Sequence, residues 1–383
     1  LATHQTHFMP NEELRLETYR DDEVQAAIQE LFGYPAFVEG MKRFLPHQLT
    51  GQILRAKNQA TSSYEFQKTI IYPFLQWVIA ASTDGLTASG LEQLDANQKY
   101  LFISNHRDIG LDSAFLNMVL FEHGFSTSQI AIGDNLMRHR IAELIFRINK
   151  SFVVKRSGSP RELYDYSMRL SNYIRDLITQ NQGSVWIAQR EGRAKDGDDR
   201  TQVSVLRMLS LSASEDLTGH FRALRVVPVA ISYEFDPCGQ LKTLEYLKKQ
   251  ADPDFKKTFR EDMDQILLGL RGPKGRVHLH FGKPLQDELA SLDAATGTKD
   301  KLRALTALID RAIHLNYQLH PVNYVAHDLL FDAQTYQRHY APAQRAQHER
   351  FFDEQLQQLP DQAREAGRRY LLPMYANPLR NAT

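Results

Sequence analysis

Short apolar runs separated by longer amphipathic stretches occupy the middle of the chain. Residues 100–103 (Tyr-Leu-Phe-Ile), 152–154 (Phe-Val-Val), 185–188 (Val-Trp-Ile-Ala), 226–233 (Val-Val-Pro-Val-Ala-Ile-Ser-Tyr) and 277–281 (Val-His-Leu-His-Phe) read as buried strands. Helices are expected between them. Residues 113–121 form one. Another starts at Ser159, an N-cap, with Pro160 in its first turn. Its Leu163, Tyr166, Leu170, Tyr173, Ile174 and Leu177 fall on one face. Residues 300–319 read as a further helix. Residues 11–81 read as helical, with turns near Gly33-Tyr34-Pro35 and Leu45-Pro46, and Gly85 and Gly90 bracket a short connection. The tail from about 330 is polar and helical in pattern, with Pro360 and Pro373 as breaks. The expected fold class is α/β: a mixed central sheet flanked by helices, with a helical N-terminal region (1–85), a catalytic domain (86–325) and a C-terminal helical tail (326–383).

Candidate chemistry collects where strands end. Residues 104–112 read Ser-Asn-His-Arg-Asp-Ile-Gly-Leu-Asp, so His106 sits between a strand and a helix, where ligand and catalytic groups gather in α/β sheets. An exposed imidazole there, with Asp108 and Asp112 nearby, has the ingredients of a general base and an orienting acid. Either carboxylate could orient the ring, and Asp112 could equally cap the following helix. The strand at 152–154 ends on Lys155 and Arg156. The strand at 185–188 leads to Arg190, Glu191, Gly192, Arg193 and Lys195. The strand at 226–233 carries Pro228 near its start. His106-Arg107-Asp108 also looks like a kinase catalytic loop, but the required Asn is replaced by Ser113, and neither a glycine-rich phosphate loop nor Asp-Phe-Gly is present.

Taken in order, these segments resemble the four sequence blocks of the glycerolipid acyltransferase family, which includes glycerol-3-phosphate and lysophosphatidic acid acyltransferases. The resemblance covers roughly residues 75–320. The first block is Asn-His, four residues, then Asp. The second ends in an apolar run and Arg, matched by Arg156. The third is Glu-Gly followed by Thr or Gly and then Arg, matched by Glu191, Gly192 and Arg193. The fourth is an apolar strand with Pro, matched by Pro228. Two departures stand out. Five residues separate His106 from Asp112, Leu111 occupying the family's Asp position, and Gly110 suits a bulge that would absorb the extra one. In the third block the arginine comes one residue early, so its role could fall on Arg193 or Lys195.

The resemblance implies an O-acyltransferase with His106, Asp112 and Glu191 as catalytic residues. Lys155, Arg156, Gly192, Arg193, Lys195 and Pro228 would bind substrate. The donor would be a thioester, acyl-CoA or acyl carrier protein. The acceptor would be a glycerol phosphate or lysophospholipid. No cofactor or metal is expected, and no serine or cysteine sits in a nucleophile elbow, so direct transfer is favoured. A catalytically weak homologue that binds lipid or a partner protein is the alternative raised by the altered spacing, and a non-glycerol acceptor is a third reading.

Composition changes this picture little. In 383 residues, Lys plus Arg and Asp plus Glu are both 46, which argues against a dedicated nucleic-acid binder. Cys238 is the single cysteine, so no intramolecular disulfide can form, and it reads as an ordinary thiol. His278 and His280 share a strand face, but two histidines alone make a poor metal site. No run of 18 apolar residues exists. The nearest, 70–81, contains Tyr72, Phe74 and Trp77 and could pack in the core or meet a membrane surface. With no signal-peptide pattern at the start, the expected location is cytoplasmic or peripheral on the inner face of the membrane.

Overall fold

The computed structural model describes residues 15–214, 216–294 and 297–383. Seven strands form one sheet: β1 (Leu86–Ser89), β2 (Leu101–Ser104), β3 (Gln129–Gly133), β4 (Ser151–Val154), β5 (Val185–Ala188), β6 (Val226–Tyr233) and β7 (Val277–Phe281). Their order is β1-β7-β6-β2-β5-β3-β4, and every described neighbouring pair is parallel except β6 with β7. The sheet is therefore mixed, and helices cover both faces, as expected from the sequence.

Strand alternation divides the core into two layers. Leu101 and Ile103 of β2, with Val185 and Ile187 of β5, pack toward the helices Pro160–Thr179 and Thr298–Asn316. Phe102 and Trp186 point the other way, toward the helices Tyr72–Ser82 and Leu111–Glu122. The expected cap at Ser159 is present: its hydroxyl accepts from the backbone of Glu162, whose carboxylate accepts from the backbone of Ser159.

Two strands were not read from the sequence. β1 occupies the stretch between Gly85 and Gly90 expected to be a connection. Leu86-Thr-Ala-Ser89 has no apolar run because it is an edge strand, paired only with β7. Gly90 follows with φ +86°, and a Cβ there would meet the Phe281 carbonyl oxygen at 1.9 Å. β3 carries only two large apolar residues, Ile130 and Ile132, and borders a cavity.

The helices Asp21–Gly33, Pro35–Phe44 and His47–Ala56 turn at Tyr34 and at Leu45-Pro46, as the sequence suggested; residues 11–14 of that expected helical stretch lie outside the described residues. They share a cluster with Leu144 and Ile148 of the helix Arg140–Ile148. A continuous helical run then goes from Ser63 to Ser82, with a π-turn at Gln67–Ile71. Pro73 lacks the N–H that an α-helix would need there, and the widened turn lies just before it. Trp77 packs edge-on against Phe44 at 5.5 Å, and the Tyr72 hydroxyl donates to Glu122 at 2.9 Å. Tyr72, Phe74 and Trp77 are thus half-buried against the core clusters, not displayed as an aromatic face. Among the described residues no helix is long and apolar enough to cross a membrane.

The C-terminal helices Pro321–Leu330, Pro342–Gln357 and Arg364–Ala382 form their own cluster. The last runs straight through Pro373, which was expected to break it. Leu371, Leu372, Tyr375 and Leu379 are buried on one side, and Asn323 donates to the Tyr375 carbonyl at 2.8 Å. Packing outweighs the lost hydrogen bond.

Candidate active site

The parallel strands β2, β3, β4, β5 and β6 all present their carboxyl ends on one side of the sheet, and the site is built there. At the end of β2, Asn105 pins the chain to β6: its side chain accepts from the Ile231 N–H at 2.7 Å and donates to the Ile231 carbonyl at 2.9 Å. This fixes the departure of His106. The imidazole Nδ1 lies 2.8 Å from Asp112 Oδ2. The same oxygen accepts from the backbone N–H of Arg107 at 2.6 Å and of Asp108 at 3.0 Å. Asp112 Oδ1 accepts from the Tyr233 hydroxyl at 2.9 Å.

Asp112 is fully buried. Burial works against its charge, but the bonds from His106, Asp108 and Arg107 outweigh that and hold the carboxyl below its usual range. Asp108 behaves oppositely: burial, then the charge of Asp112, pushes its pKa up. Its Oδ1 accepts from the N–H groups of Gly110 and Leu111, at 2.9 and 2.8 Å. So Asp108 holds the turn that leads into the helix Leu111–Glu122, and Asp112, in that helix's first turn, meets the ring. This turn also absorbs the extra residue between His106 and Asp112. Gly110 does not do so by a special conformation: its φ is −115°, open to any residue.

Arg107 points into the protein. Its guanidinium pairs with Asp199 at 2.5 Å and lies over the Tyr317 ring. Its carbonyl accepts from the buried Lys242 Nζ at 2.7 Å, and Lys242 also pairs with Asp236. The His106 loop is therefore held from below as well as from the side. Behind the imidazole, Trp186 approaches edge-on at 5.7 Å and donates to Ser104.

The ring faces a cavity of about 940 Å³. One end is polar. Arg156 comes from the end of β4, and Arg190, Glu191, Gly192, Arg193 and Lys195 come from the end of β5. The loop after β5 is tied to the His106 loop by Ala194 N–H donating to the His106 carbonyl at 3.0 Å. Gly192 has φ +68°, which explains glycine at that turn. Glu191 lies at the rim, 3.5 Å from Arg156. The other end is apolar. Phe74 and Leu75, Met118 and Phe121, Ile130, and Phe146 line it from four separate elements. The sequence carried no sign of this channel.

The candidates differ in how free they are. Arg156 is 35% exposed at its side chain, which among the described residues makes only long contacts, to Asn135 at 3.3 Å and Glu191 at 3.5 Å. Arg193 is buried and bonded to Gln265, with Nη1 left unpaired. Lys195 is taken by Glu245 at 2.6 Å, and burial lowers its pKa. Two expected binding residues are not brought to the cavity. Lys155 lies on the opposite face of its strand from Arg156, against the turn at Gly158 and near Glu162. Pro228 sits inside the sheet opposite Ile103, and its carbonyl accepts from Gly282. Tyr233 and Arg190 were not singled out. Tyr233 ends a strand, where only topology reveals its reach to Asp112. Arg190 sits next to Glu191 and lines the cavity with a buried, unpaired Nε.

The other flagged residues have structural partners. His278 and His280 bond the hydroxyls of Thr87 and Ser89 across β1 and β7. Cys238 is buried, which pushes its thiol up to about 12.

A family model described as Acyltransferase matches residues 85–232, a span containing all four blocks. The chain is 24% identical over 297 residues to a glycerol-3-phosphate acyltransferase of Ectopseudomonas mendocina (strain ymp), covering 73% of this chain and 35% of that protein. It is 27% identical over 235 residues to a glycerol-3-phosphate acyltransferase of Pseudoalteromonas translucida (strain TAC 125), covering 60% of this chain and 27% of that one. The matched regions thus span about a third of these relatives or less. The solved 1-acyl-sn-glycerophosphate (LPA) acyltransferase PlsC of Thermotoga maritima aligns with a TM-score of 0.35 and 13% identity, over 76% of this chain and 93% of that chain. The span matched by the Acyltransferase model contains His106, Asp112, Arg156 and the Glu191–Arg193 turn, and the chain is similar over this region to glycerol-3-phosphate acyltransferases.

Proposed function

We propose that this chain transfers a fatty acyl group from a thioester to a hydroxyl of a glycerol phosphate or lysophospholipid, with His106 as general base. The observation that carries the reading is the His106–Asp112 pair facing a cavity with a cationic end and an apolar end. With Nδ1–H donated to Asp112, Nε2 keeps a lone pair and, among the described residues, has no hydrogen-bond partner. That nitrogen takes the acceptor's hydroxyl proton as its oxygen attacks the thioester carbonyl. Asp112 balances the imidazolium that forms. Collapse of the tetrahedral intermediate breaks the carbon–sulfur bond, and the thiolate recovers the proton. Arg156 and Arg190, which both line the cavity, hold the acceptor phosphate in this reading by charge-assisted hydrogen bonds. The channel between the helices Tyr72–Ser82 and Leu111–Glu122 accommodates the acyl chain.

The extra residue between His106 and Asp112 motivated the binding-only alternative. Because the carboxylate still reaches the ring at 2.8 Å, that motive loses weight. The test is thioester release from a long-chain acyl donor with glycerol-3-phosphate or lysophosphatidic acid as acceptor. His106→Ala should lower turnover by about 10²–10⁴-fold. Turnover unchanged by that substitution would remove His106 from the chemistry.

A further inference from the structure

Three donors to Asp112 belong to the loop that leads to it: the imidazole of His106 and the N–H groups of Arg107 and Asp108, all on Oδ2. The Tyr233 hydroxyl comes from a separate strand and, among the described residues, is the one partner of Oδ1. Its reach depends on an overhang. β2 stops at Ser104, opposite Val229, whereas β6 runs on to Tyr233, supported by antiparallel pairing with β7. Val227, Val229, Ile231 and Tyr233 form one file on the sheet face that packs against the helix Leu111–Glu122. The Tyr233 hydroxyl is the only polar side-chain atom in that file. Phe115 of the helix lies beside the ring, centroids 6.4 Å apart, and Asp112, about one turn earlier on the same helix face, meets the hydroxyl. Phenylalanine at 233 would serve this packing equally, so packing does not account for the hydroxyl. The hydroxyl also keeps its proton. Burial, then the charges of Asp112 and Asp108, with a smaller push from Asp236, hold its pKa well above the usual tyrosine value.

We propose that Tyr233 is a positioning residue for the transfer, a pin that fixes the Asp112 carboxylate, and through it the His106 ring, relative to the sheet; the proposal rests on the general-base reading above. Oδ2 alone is a pivot. Held only there, the carboxylate follows every shift of the loop 104–112, because its other donors move with that loop. Oδ1 would then be a buried, charged acceptor without a partner, which is costly. The hydroxyl fastens this second oxygen to β6. Asn105 fastens the start of the loop to the same strand, through the N–H and carbonyl of Ile231. The loop is thus tied to β6 at both ends, by Asn105 where it leaves β2 and by Asp112 where it enters the helix. The imidazole that must meet the acceptor hydroxyl lies between these two ties. Tyr233 does not line the cavity, so it reaches the chemistry only through Asp112.

The test is Tyr233→Phe, which keeps the ring beside Phe115 and deletes the pin. In steady-state kinetics with a long-chain acyl thioester and glycerol-3-phosphate or lysophosphatidic acid, kcat should fall about tenfold with the acceptor KM unchanged, the lower end of what a hydrogen bond to a charged group is worth. In the His106→Ala background the same substitution should leave the residual rate unchanged, because the pin acts only through the ring. Proton NMR of the full chain supplies a readout that does not need turnover. The His106 Nδ1 proton, shared with a carboxylate, resonates far downfield and is identified by its loss in His106→Ala. It should shift or broaden in Tyr233→Phe. An unchanged kcat, a loss of the same size without His106, or a raised acceptor KM at constant kcat overturns the pin. Should Tyr233→Phe fail to fold, 3-fluorotyrosine at position 233, a stronger donor on the same ring, should move the Nδ1 signal, and an unmoved signal overturns the pin. Turnover unaffected by His106→Ala defeats the general-base reading, while an Nδ1 signal that depends on Tyr233 still upholds the pin.

Discussion

Replacing Asp112 by Asn separates two roles that its carboxylate plays in the proposed mechanism. An amide turned with its NH2 toward His106 would face the N–H groups of Arg107 and Asp108, which now donate to Oδ2 at 2.6 and 3.0 Å. Leaving two buried donors opposed costs about 2–6 kcal/mol. The amide oxygen is therefore forced toward His106, and the NH2 toward the Tyr233 hydroxyl, which can turn to accept. Where an amide can take either orientation, this substitution loses the imidazole tautomer and about 10⁴-fold in rate. Here the tautomer survives and only the counter-charge is lost. Two unit charges about 4 Å apart at an effective dielectric near 20 interact by about 4 kcal/mol. That is a ceiling, because the amide dipole and partial water access replace part of it. Asp112→Asn should thus cost about 10–100-fold in kcat, with the acceptor KM and the melting temperature little changed. Asp112→Ala strands four donors, those of His106, Arg107, Asp108 and Tyr233, and should lose about as much rate as His106→Ala and about 2–5 kcal/mol of stability. Steady-state kinetics beside urea denaturation reads both. An Asn variant as slow as a folded Ala variant would refute the backbone lock on the tautomer. An Asn variant at the wild-type rate would refute the role of the charge.

Other substitutions address the cations and buried charge. A Cβ at Gly133 would meet the Arg156 guanidinium carbon at 2.6 Å, although the backbone there, φ −69°, suits any residue. Gly133→Ala should therefore push Arg156 aside and raise the acceptor KM toward that of Arg156→Ala, about tenfold, without lowering the melting temperature; an unchanged KM in both variants removes Arg156 from acceptor binding. Lys274 is buried, with Nζ bonded to Ser82 Oγ and the Gly272 carbonyl, and burial lowers its pKa to about 8. The unfolded chain takes up this proton first as pH falls, so stability is lost between the unfolded value, near 10.5, and about 8, and is constant below that. Relative to Lys274→Met, the wild type should gain about 2–3 kcal/mol between pH 8 and 10.5. Urea midpoints that move in parallel across this range would show that the lysine does not titrate as its burial demands.

The parts of this molecule readable from sequence are those in which one residue's neighbours in the chain are also its neighbours in space. β2, β5 and β6 are buried on both faces, so their apolar runs are nearly continuous and stand out. His106 follows such a run directly, which places it at the sheet's carboxyl end before any topology is known. β1 and β3 were missed because an edge strand and a strand beside a cavity need few apolar residues. The apolar end of the cavity was invisible for a stronger reason. Its lining comes from the 72–82 and 111–122 helices, β3 and the 140–148 helix, and each of those residues looks like ordinary core in its own segment.

The loop 104–112 shows how spacing alone misleads. Counting residues from His106 makes the fifth intervening residue a defect and Gly110 its remedy. In the fold, the number of residues matters less than where the backbone donors point. Asp108 gathers the N–H groups of Gly110 and Leu111 just before the helix, and Asp112 in its first turn reaches back to the ring. The N–H groups of Arg107 and Asp108, left behind by that turn, converge on Asp112 Oδ2. The extra residue therefore brings its own acceptor. Asp108 supplies the carboxylate that satisfies the turn before the helix. By this logic Asp108 and the added residue belong together. Loss of the Asp108 side chain should loosen the His106–Asp112 pair although Asp108 takes no part in the proposed proton transfer, so Asp108→Ala should lower kcat in steady-state kinetics with the acceptor KM unchanged, and an unchanged kcat would refute the coupling.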